Sequence, residues 1–209
     1  MTVEAFLAWA EGRPGRYELV DGEVLAMPPG RIRHAEVKAA ACLALRSALT
    51  RASCSCFALP DGVSVRIDEE TVFEPDALVY CGPRAGPDAT EIADPVIVVE
   101  VQSPGTRAVD SGLKLTRYFN LASVRHDLIV DPVKRLVIHH RRAQRDLIET
   151  RIAIDGTLDL TPPGLSLPVP DLFADLAPAA GDGIPGCFFA RCTDAVAEPA
   201  PAAQTAQHP

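Results

Sequence analysis

The most restrictive feature of this 209-residue sequence is an apolar run that contains one carboxylate. The run 96–101 is apolar at every position except Glu100. Such a run is typical of a central strand that is covered on both faces. Burying a carboxylate there is costly unless a partner compensates its charge. We therefore expect Glu100 to face either a divalent metal ion or a basic side chain such as Arg107 or Lys114.

A second carboxylate stands at the entrance of another apolar stretch. Asp76 follows Pro75 and directly precedes the strand predicted at 77–80. Alone, an aspartate after proline is often a turn-capping residue. Together with Glu100, however, it could supply oxygen ligands to one Mg²⁺, with Mn²⁺ as a substitute. A nearby lysine could then orient water or offset developing negative charge, and Lys114 is the nearest candidate.

The remaining patterns predict a mixed α/β (α+β) domain over residues 1–176. Asp21-Gly22 favours a two-residue turn, so an N-terminal hairpin is expected at 17–27. Periodicity predicts helices at 2–11, 32–52 and 107–121, and further strands at 57–67 (broken at 60–62), 77–80, 96–101, 128–130, 136–139 and 148–154, the last as an edge strand. Residues 177–209 read as an Ala- and Pro-rich low-complexity tail that is disordered.

Charge and cysteine content bear on the class of protein. The net charge of −8 argues against a broadly basic nucleic-acid-binding surface, although a local patch remains compatible with it. Arg31, Lys38 and Arg46 fall in one sector of the predicted helix 32–52 and form a candidate phosphate-tracking surface. The six cysteines include no C-x-x-C pair and are expected to be reduced thiols. No apolar run is long enough to span a bilayer, and no secretory leader is evident, so a cytoplasmic location is expected.

Two histidine positions allow more than one interpretation. His34 lies on the apolar face of the predicted helix 32–52, where a core or interface histidine is the favoured role and a general base the alternative. His139-His140, followed by two arginines, favours a solvated hairpin face over a phosphate contact. Neither position decides the function.

Several motifs, taken in order, resemble one known family. They are Tyr17–Glu23, His34, Pro75-Asp76, the Glu100–Pro104 segment, the helix positions Thr106, Asp110, Lys114 and Tyr118, and the turn Val130–Pro132. This set resembles the Uma-type restriction endonucleases, a bacterial branch of the PD-(D/E)XK nuclease superfamily, over about residues 3–176. The resemblance implies a restriction-endonuclease-like fold, with a mixed central sheet flanked by helices.

The resemblance also implies roles for individual residues. Asp76 would be the central metal ligand, Glu100 the second, the carbonyl of Val101 a third, and Glu18 a further acidic ligand unless it merely faces water on the hairpin. Gln102 occupies the position of the usual catalytic lysine. In this branch the lysine function moves to the following helix, where Lys114 fits. The segment 125–127 reads Arg-His-Asp where the branch usually has Glu-Tyr-Trp. A family member whose sequence has diverged from the usual pattern is therefore the alternative interpretation.

Three functions are compatible with these residues. The first is an endonuclease that hydrolyses duplex or branched DNA with Mg²⁺, acting as a homodimer, as the resemblance implies. The second is a non-catalytic nucleic-acid-binding or regulatory module on the same fold, which the acidic charge and Gln102 favour. The third is a dimeric interaction domain in which the carboxylates serve structure alone.

Overall fold

Strand β7, Pro95–Val101, is the apolar run that carries Glu100, and it lies inside a six-stranded sheet. The computed structural model describes residues 1–102, 110–144 and 147–176. The strand order is β10-β9-β8-β7-β6-β3, with β7 parallel to β8 and every other pair antiparallel. The bounds are β3 Cys56–Pro60, β6 Ala77–Cys81, β8 His126–Asp131, β9 Leu136–Arg142 and β10 Ile148–Ala153.

The N-terminal hairpin belongs to a second sheet, with strand order β2-β1-β5-β4. Its strands are β1 Arg16–Val20, β2 Glu23–Met27, β4 Val65–Arg66 and β5 Val72–Phe73. Asp21 and Gly22 form the turn with φ of 50° and 79°, so both central residues are left-handed, as this turn requires. The predicted hairpin is confirmed.

Helices cover the large sheet on both faces. Helix α2, Ile32–Arg51, packs its buried face against one side, where Val37, Ala41 and Leu45 meet Val99 and other strand residues. On the opposite face Val98 packs with Tyr118 of α3, Asp110–Tyr118, and with Phe73 of β5. Helix α1, Val3–Ala10, begins at the N-cap Thr2 and buries Val3 and Phe6. The resulting core is mostly aliphatic, as the composition indicates.

The C-terminal part of the described chain is more ordered than its proline content suggests. Strands β11, Thr157–Leu160, and β12, Leu165–Pro168, pair with each other and lead into a 3-10 helix, Val169–Phe173, that packs on α2. The described chain up to Leu176 forms one compact unit. The low-complexity assignment of 177–209 lies outside the described residues. No helix in the described ranges is long and apolar enough to cross a membrane.

Three expectations need correction. The two strands predicted in 57–67 lie in different sheets, because β3 pairs with β6 whereas β4 pairs with β5. Cys56 and Cys81 face each other across β3 and β6 and form a disulfide, so the expectation of reduced thiols throughout is wrong. His139 and His140 are buried, at 5% and 8% exposure, so the solvated hairpin face is also wrong.

Candidate active site

The junction of β6 and β7 brings Asp76 against the backbone of the Glu100 strand. The Asp76 amide donates to Val99 O at 2.9 Å, and the Val101 amide donates to Asp76 Oδ2 at 2.6 Å. Asp76 is 4% exposed. These bonds fix the carboxylate beside Val101, so the two strand positions singled out by the sequence lie at one place.

The hairpin contributes a third carboxylate, and α3 contributes a cation. Glu18 of β1 is 5% exposed, and its Oε1 accepts from the Glu74 amide at 2.9 Å. Lys114 Nζ lies 2.8 Å from Glu18 Oε1 and 3.4 Å from both Glu100 oxygens. Lys114 is itself 6% exposed, so these pairs lie largely out of water. Lys114 therefore joins the acidic group of the hairpin to that of the central strand.

Helix α2 places two more basic groups on the opposite side of Asp76. Lys38 Nζ lies 2.5 Å from Asp76 Oδ1 and 3.1 Å from Asp61 Oδ2. His34 Nε2 lies 2.7 Å from the Val101 carbonyl oxygen and 3.7 Å from Asp76 Oδ2. His34 and Lys38 are one helical turn apart, which puts them on the same face of α2. The Asp76 carboxylate and the Val101 carbonyl oxygen thus each have a basic neighbour on α2.

Removal from water governs the protonation of Glu100. It raises the pKa of this carboxyl to about 8, a rise that Lys114 opposes and the charges of Asp76 and Glu18 reinforce. The buried Tyr118 hydroxyl donates to Glu100 Oε1 at 2.8 Å, which favours the ionised form. The same burial and the adjacent Glu100 charge raise the pKa of Tyr118 well above its ordinary value. Tyr118 therefore acts as a hydrogen-bond donor to Glu100.

The other sequence-predicted residues are more dispersed. Gln102 follows β7, and its backbone N–H donates to Val130 O at 2.8 Å. Arg31 is exposed at the N-cap of α2. Arg46 is about four turns further along α2, with its Nε donating to Ala58 O at 3.2 Å. Lys38 alone of the three basic residues reaches the carboxylates, so a shared phosphate-tracking role for Arg31, Lys38 and Arg46 stays a prediction.

Sequence reasoning did not anticipate two features near the site. Lys38 was assigned to a surface patch, although its i, i+4 spacing from His34 could have placed it with that residue. Asp127 of β8 is 1% exposed, and its Oδ1 has no hydrogen-bond partner within the described residues. Burial raises the pKa of Asp127 to about 7, and Lys114 opposes the rise. The isolated sequence offered no signal for Asp127 beyond its place in the altered 125–127 segment.

Comparison with known proteins identifies the family of this chain. Residues 3–170 match the model of the Uma2 family, described as "Putative restriction endonuclease". The chain belongs to the Uma2 family. The resemblance drawn from the motifs is thereby confirmed, and the family points to a restriction-endonuclease-like nuclease.

Two further proteins extend the comparison. An uncharacterized protein of Synechocystis sp. is 25% identical over 178 residues, covering 85% of this chain and 93% of the relative. A crystal structure described as a "putative nuclease" from Anabaena variabilis superposes with a TM-score of 0.65 at 18% identity, covering 83% of this chain and 98% of that one. The second likeness confirms the predicted mixed-sheet fold.

Proposed function

We propose that this Uma2 chain is a Mg²⁺-dependent endonuclease that hydrolyses DNA phosphodiester bonds. The observation that carries the proposal is that Asp76 lies at the junction of β6 and β7 beside Val101, while Glu18 and Glu100 share Lys114 close enough for all three charges to interact. Two of these carboxylates pair with Lys114 and Asp76 pairs with Lys38, and each of the three loses hydration, which is typical of a functional site.

The donor chemistry fits a hard divalent cation. All candidate ligands are oxygens: Asp76 and Glu100 from adjacent strands, the Val101 carbonyl, and Glu18 from the hairpin. Mg²⁺ and Mn²⁺ prefer such ligands, whereas soft metals prefer thiolates. When bound, Mg²⁺ would activate water and stabilise the charge of the scissile phosphate.

The protein's own groups would position and balance this chemistry. Lys114 holds a positive charge 3.4 Å from Glu100 and can offset negative charge that develops on a phosphate nearby. Tyr118 orients Glu100 through its hydrogen bond. His34 and Lys38 contact the Val101 carbonyl and Asp76, so both must shift or share those oxygens when a cation binds. Gln102 would lie beside the substrate, in the position of the superfamily lysine.

The partners follow from the same proposal. Duplex or branched DNA would be the substrate, and two copies of the chain would pair to cut two strands. Sedimentation of the purified protein with and without a DNA duplex measures this stoichiometry; a strictly monomeric complex contradicts the paired form.

The direct test is cleavage of supercoiled, linear and branched DNA with Mg²⁺, with Mn²⁺ and with EDTA. We expect cleavage with the metals alone and a loss of at least about 100-fold in Asp76→Asn and in Glu100→Gln, the scale of removing a group that stabilises the transition state. Asp94→Asn, an exposed carboxylate outside the site, is the matched control. Undiminished cleavage by both site variants overturns the assignment.

One observation favours a second candidate, a non-catalytic nucleic-acid-binding module. Asp76 already pairs with Lys38, and Glu18 and Glu100 already pair with Lys114, so each carboxylate has a basic partner without a metal. This candidate predicts that the chain binds DNA in EDTA, cuts nothing with either metal, and releases no heat when titrated with Mn²⁺. The endonuclease predicts the opposite for cleavage and for Mn²⁺ binding.

A further inference from the structure

Three sulfur atoms lie together at the end of the large sheet away from Asp76. Cys56 of β3 is bonded to Cys81 of β6, and the half-buried Cys54 is a free cysteine. Cys54 Sγ lies 3.1 Å from Cys56 Sγ, and all three sulfurs are within 4.8 Å of one another. A free thiol that contacts a disulfide sulfur is placed for thiol–disulfide exchange.

An open groove gives access to these sulfurs. It has a volume of about 520 Å³ and is lined by Cys54 and Cys56, by Phe57 and Tyr80, and by Arg46 and Arg84. Arg46 comes from α2, and the Arg84 guanidinium lies 5.4 Å from the centre of the Phe57 ring. The groove therefore combines an apolar floor with two guanidinium groups, which bind carboxylates well.

We propose that Cys54, Cys56 and Cys81 form a thiol–disulfide exchange site for small anionic thiols. The incoming thiolate attacks Cys56 Sγ, the groove-lining sulfur of the disulfide. A bond forms between the two sulfurs, the Cys56–Cys81 bond breaks, and Cys81 leaves as a thiolate that takes up a proton from water. Arg46 and Arg84 hold the carboxylates of the small thiol during this step.

Cys54 resolves the mixed disulfide. Its sulfur, deprotonated to water, attacks Cys56 Sγ, forms a Cys54–Cys56 bond and expels the small thiol, which regains the proton. The number of disulfides is unchanged, and the covalent link between β3 and β6 is opened. Because β3 is an edge strand held to the sheet through β6, the exchange would loosen that edge.

The experiment uses the full chain carrying Cys187→Ser and Cys192→Ser, so that thiols outside the described residues do not interfere. Reduced glutathione, which has two carboxylates, is compared with cysteamine, a cationic thiol. Free thiols are alkylated at intervals, and the linked peptides are identified by mass spectrometry. In this parent chain we expect Cys81 to become alkylated as the Cys54–Cys56 link appears, with little mixed disulfide.

Three variants make the proposal falsifiable. Cys54→Ser should accumulate glutathione on Cys56, because no thiol resolves it. Arg84→Gln should slow the glutathione reaction at least about threefold and should not slow the cysteamine reaction, since the guanidinium attracts the carboxylates of glutathione and repels the ammonium group of cysteamine. Cys42→Ser, a buried free cysteine outside the cluster, is the control.

Three results overturn the proposal. The first is a Cys54→Ser protein that forms no mixed disulfide at Cys56 although it keeps its native circular dichroism. The second is equal sensitivity of both thiols to Arg84→Gln. Isolation of the native chain with Cys56 and Cys81 both alkylated also overturns it, because the disulfide to be exchanged is then absent.

Discussion

At the scale of single residues, the site is a set of charges that compensate one another away from water. Glu18, Asp76 and Glu100 would each be costly alone, and Lys38 and Lys114 contact them at 2.5 to 3.4 Å. Removing one partner from a buried pair is far more costly than the net value of the pair, because an uncompensated charge remains. The lysines are therefore expected to control both stability and metal affinity.

Lys114→Gln should separate these two effects. It leaves Glu18 and Glu100 without their shared cation, so we expect a loss of about 3 kcal/mol in the free energy of unfolding. Saturating Mg²⁺ should restore more stability to this variant than to the wild type, because the metal then replaces the missing charge. Urea unfolding with Mg²⁺ and with EDTA measures this. Lys134→Gln, an exposed lysine, is the control, and equal Mg²⁺ effects in all three proteins contradict the prediction.

Asp127 should impose a pH-dependent cost. Its pKa is raised by burial to about 7 in the fold and lies near its ordinary 3.8 in the unfolded chain. Asp127 therefore binds its proton more tightly in the folded state than in the unfolded chain. The free energy of unfolding that this contributes is fully present below about pH 4 and is lost as the pH rises to about 7. Asp127→Asn removes this titration. Between pH 4 and pH 8 we therefore expect its free energy of unfolding to rise by about 2 to 4 kcal/mol relative to that of the wild type.

Urea unfolding of both proteins at the two pH values measures the gain. Asp155→Asn, at an exposed turn, serves as the matched control and should show no such difference. A pH-independent difference between Asp127→Asn and wild type would mean that Asp127 is ionised in the fold.

At the scale of elements, β8 and β9 bury a histidine pair. His126 Nδ1 and His139 Nε2 are 2.9 Å apart, and His126 Nε2 donates to Pro162 O at 2.9 Å. Burial lowers the pKa of both histidines to about 4. The imidazoles are therefore neutral at pH 7. Through the His126 hydrogen bond to Pro162 O, they link strands β8 and β9 to the loop between β11 and β12.

This pair should destabilise the fold in acid. The unfolded histidines take up protons near pH 6.5 and the folded ones only near pH 4, so stability is lost as the pH falls between these values. His139→Gln should reduce this loss by on the order of 2 kcal/mol. Asp127 and Glu100 have raised pKa values, so their effect on stability changes with pH in the opposite direction to that of the histidines. The measurement is therefore the difference in free energy of unfolding between His139→Gln and wild type, taken by urea unfolding at pH 7.5 and at pH 4.5. An unchanged difference at the two pH values contradicts the prediction.

At the scale of the whole molecule, residues Met1–Leu176 form one compact unit. Leu172 and Phe173 are buried against α2, and Arg135 Nη2 donates to Leu176 O at 3.4 Å. We expect a chain of residues 1–176 to fold with a Tm within about 2 °C of the full chain, and to retain any Mg²⁺-dependent cleavage. Thermal unfolding and the plasmid assay test this; a larger loss would assign a structural role to 177–209.

The local elements were largely predictable because their signals are local. The alternation around Asp21-Gly22 predicted the hairpin, the periodicity of 32–52 predicted α2 within one residue, and the strand predicted at 148–154 is the edge strand β10. Strands β5, β11 and β12 were missed. They are only two to four residues long, and the last two border prolines, so their order depends on packing and pairing rather than on propensity.

The sequence by itself determined that Glu100 lies in a central strand, because only a strand covered on both faces suits so apolar a run. It also indicated Asp76 and Lys114 as partners. Tertiary structure alone decided that Lys38 and His34 turn toward Asp76 and Val101, that Cys56 pairs with Cys81, and that His139 is buried. Those outcomes depend on which strands and helices become neighbours across 13 to 67 residues of chain, and no local pattern encodes such distances.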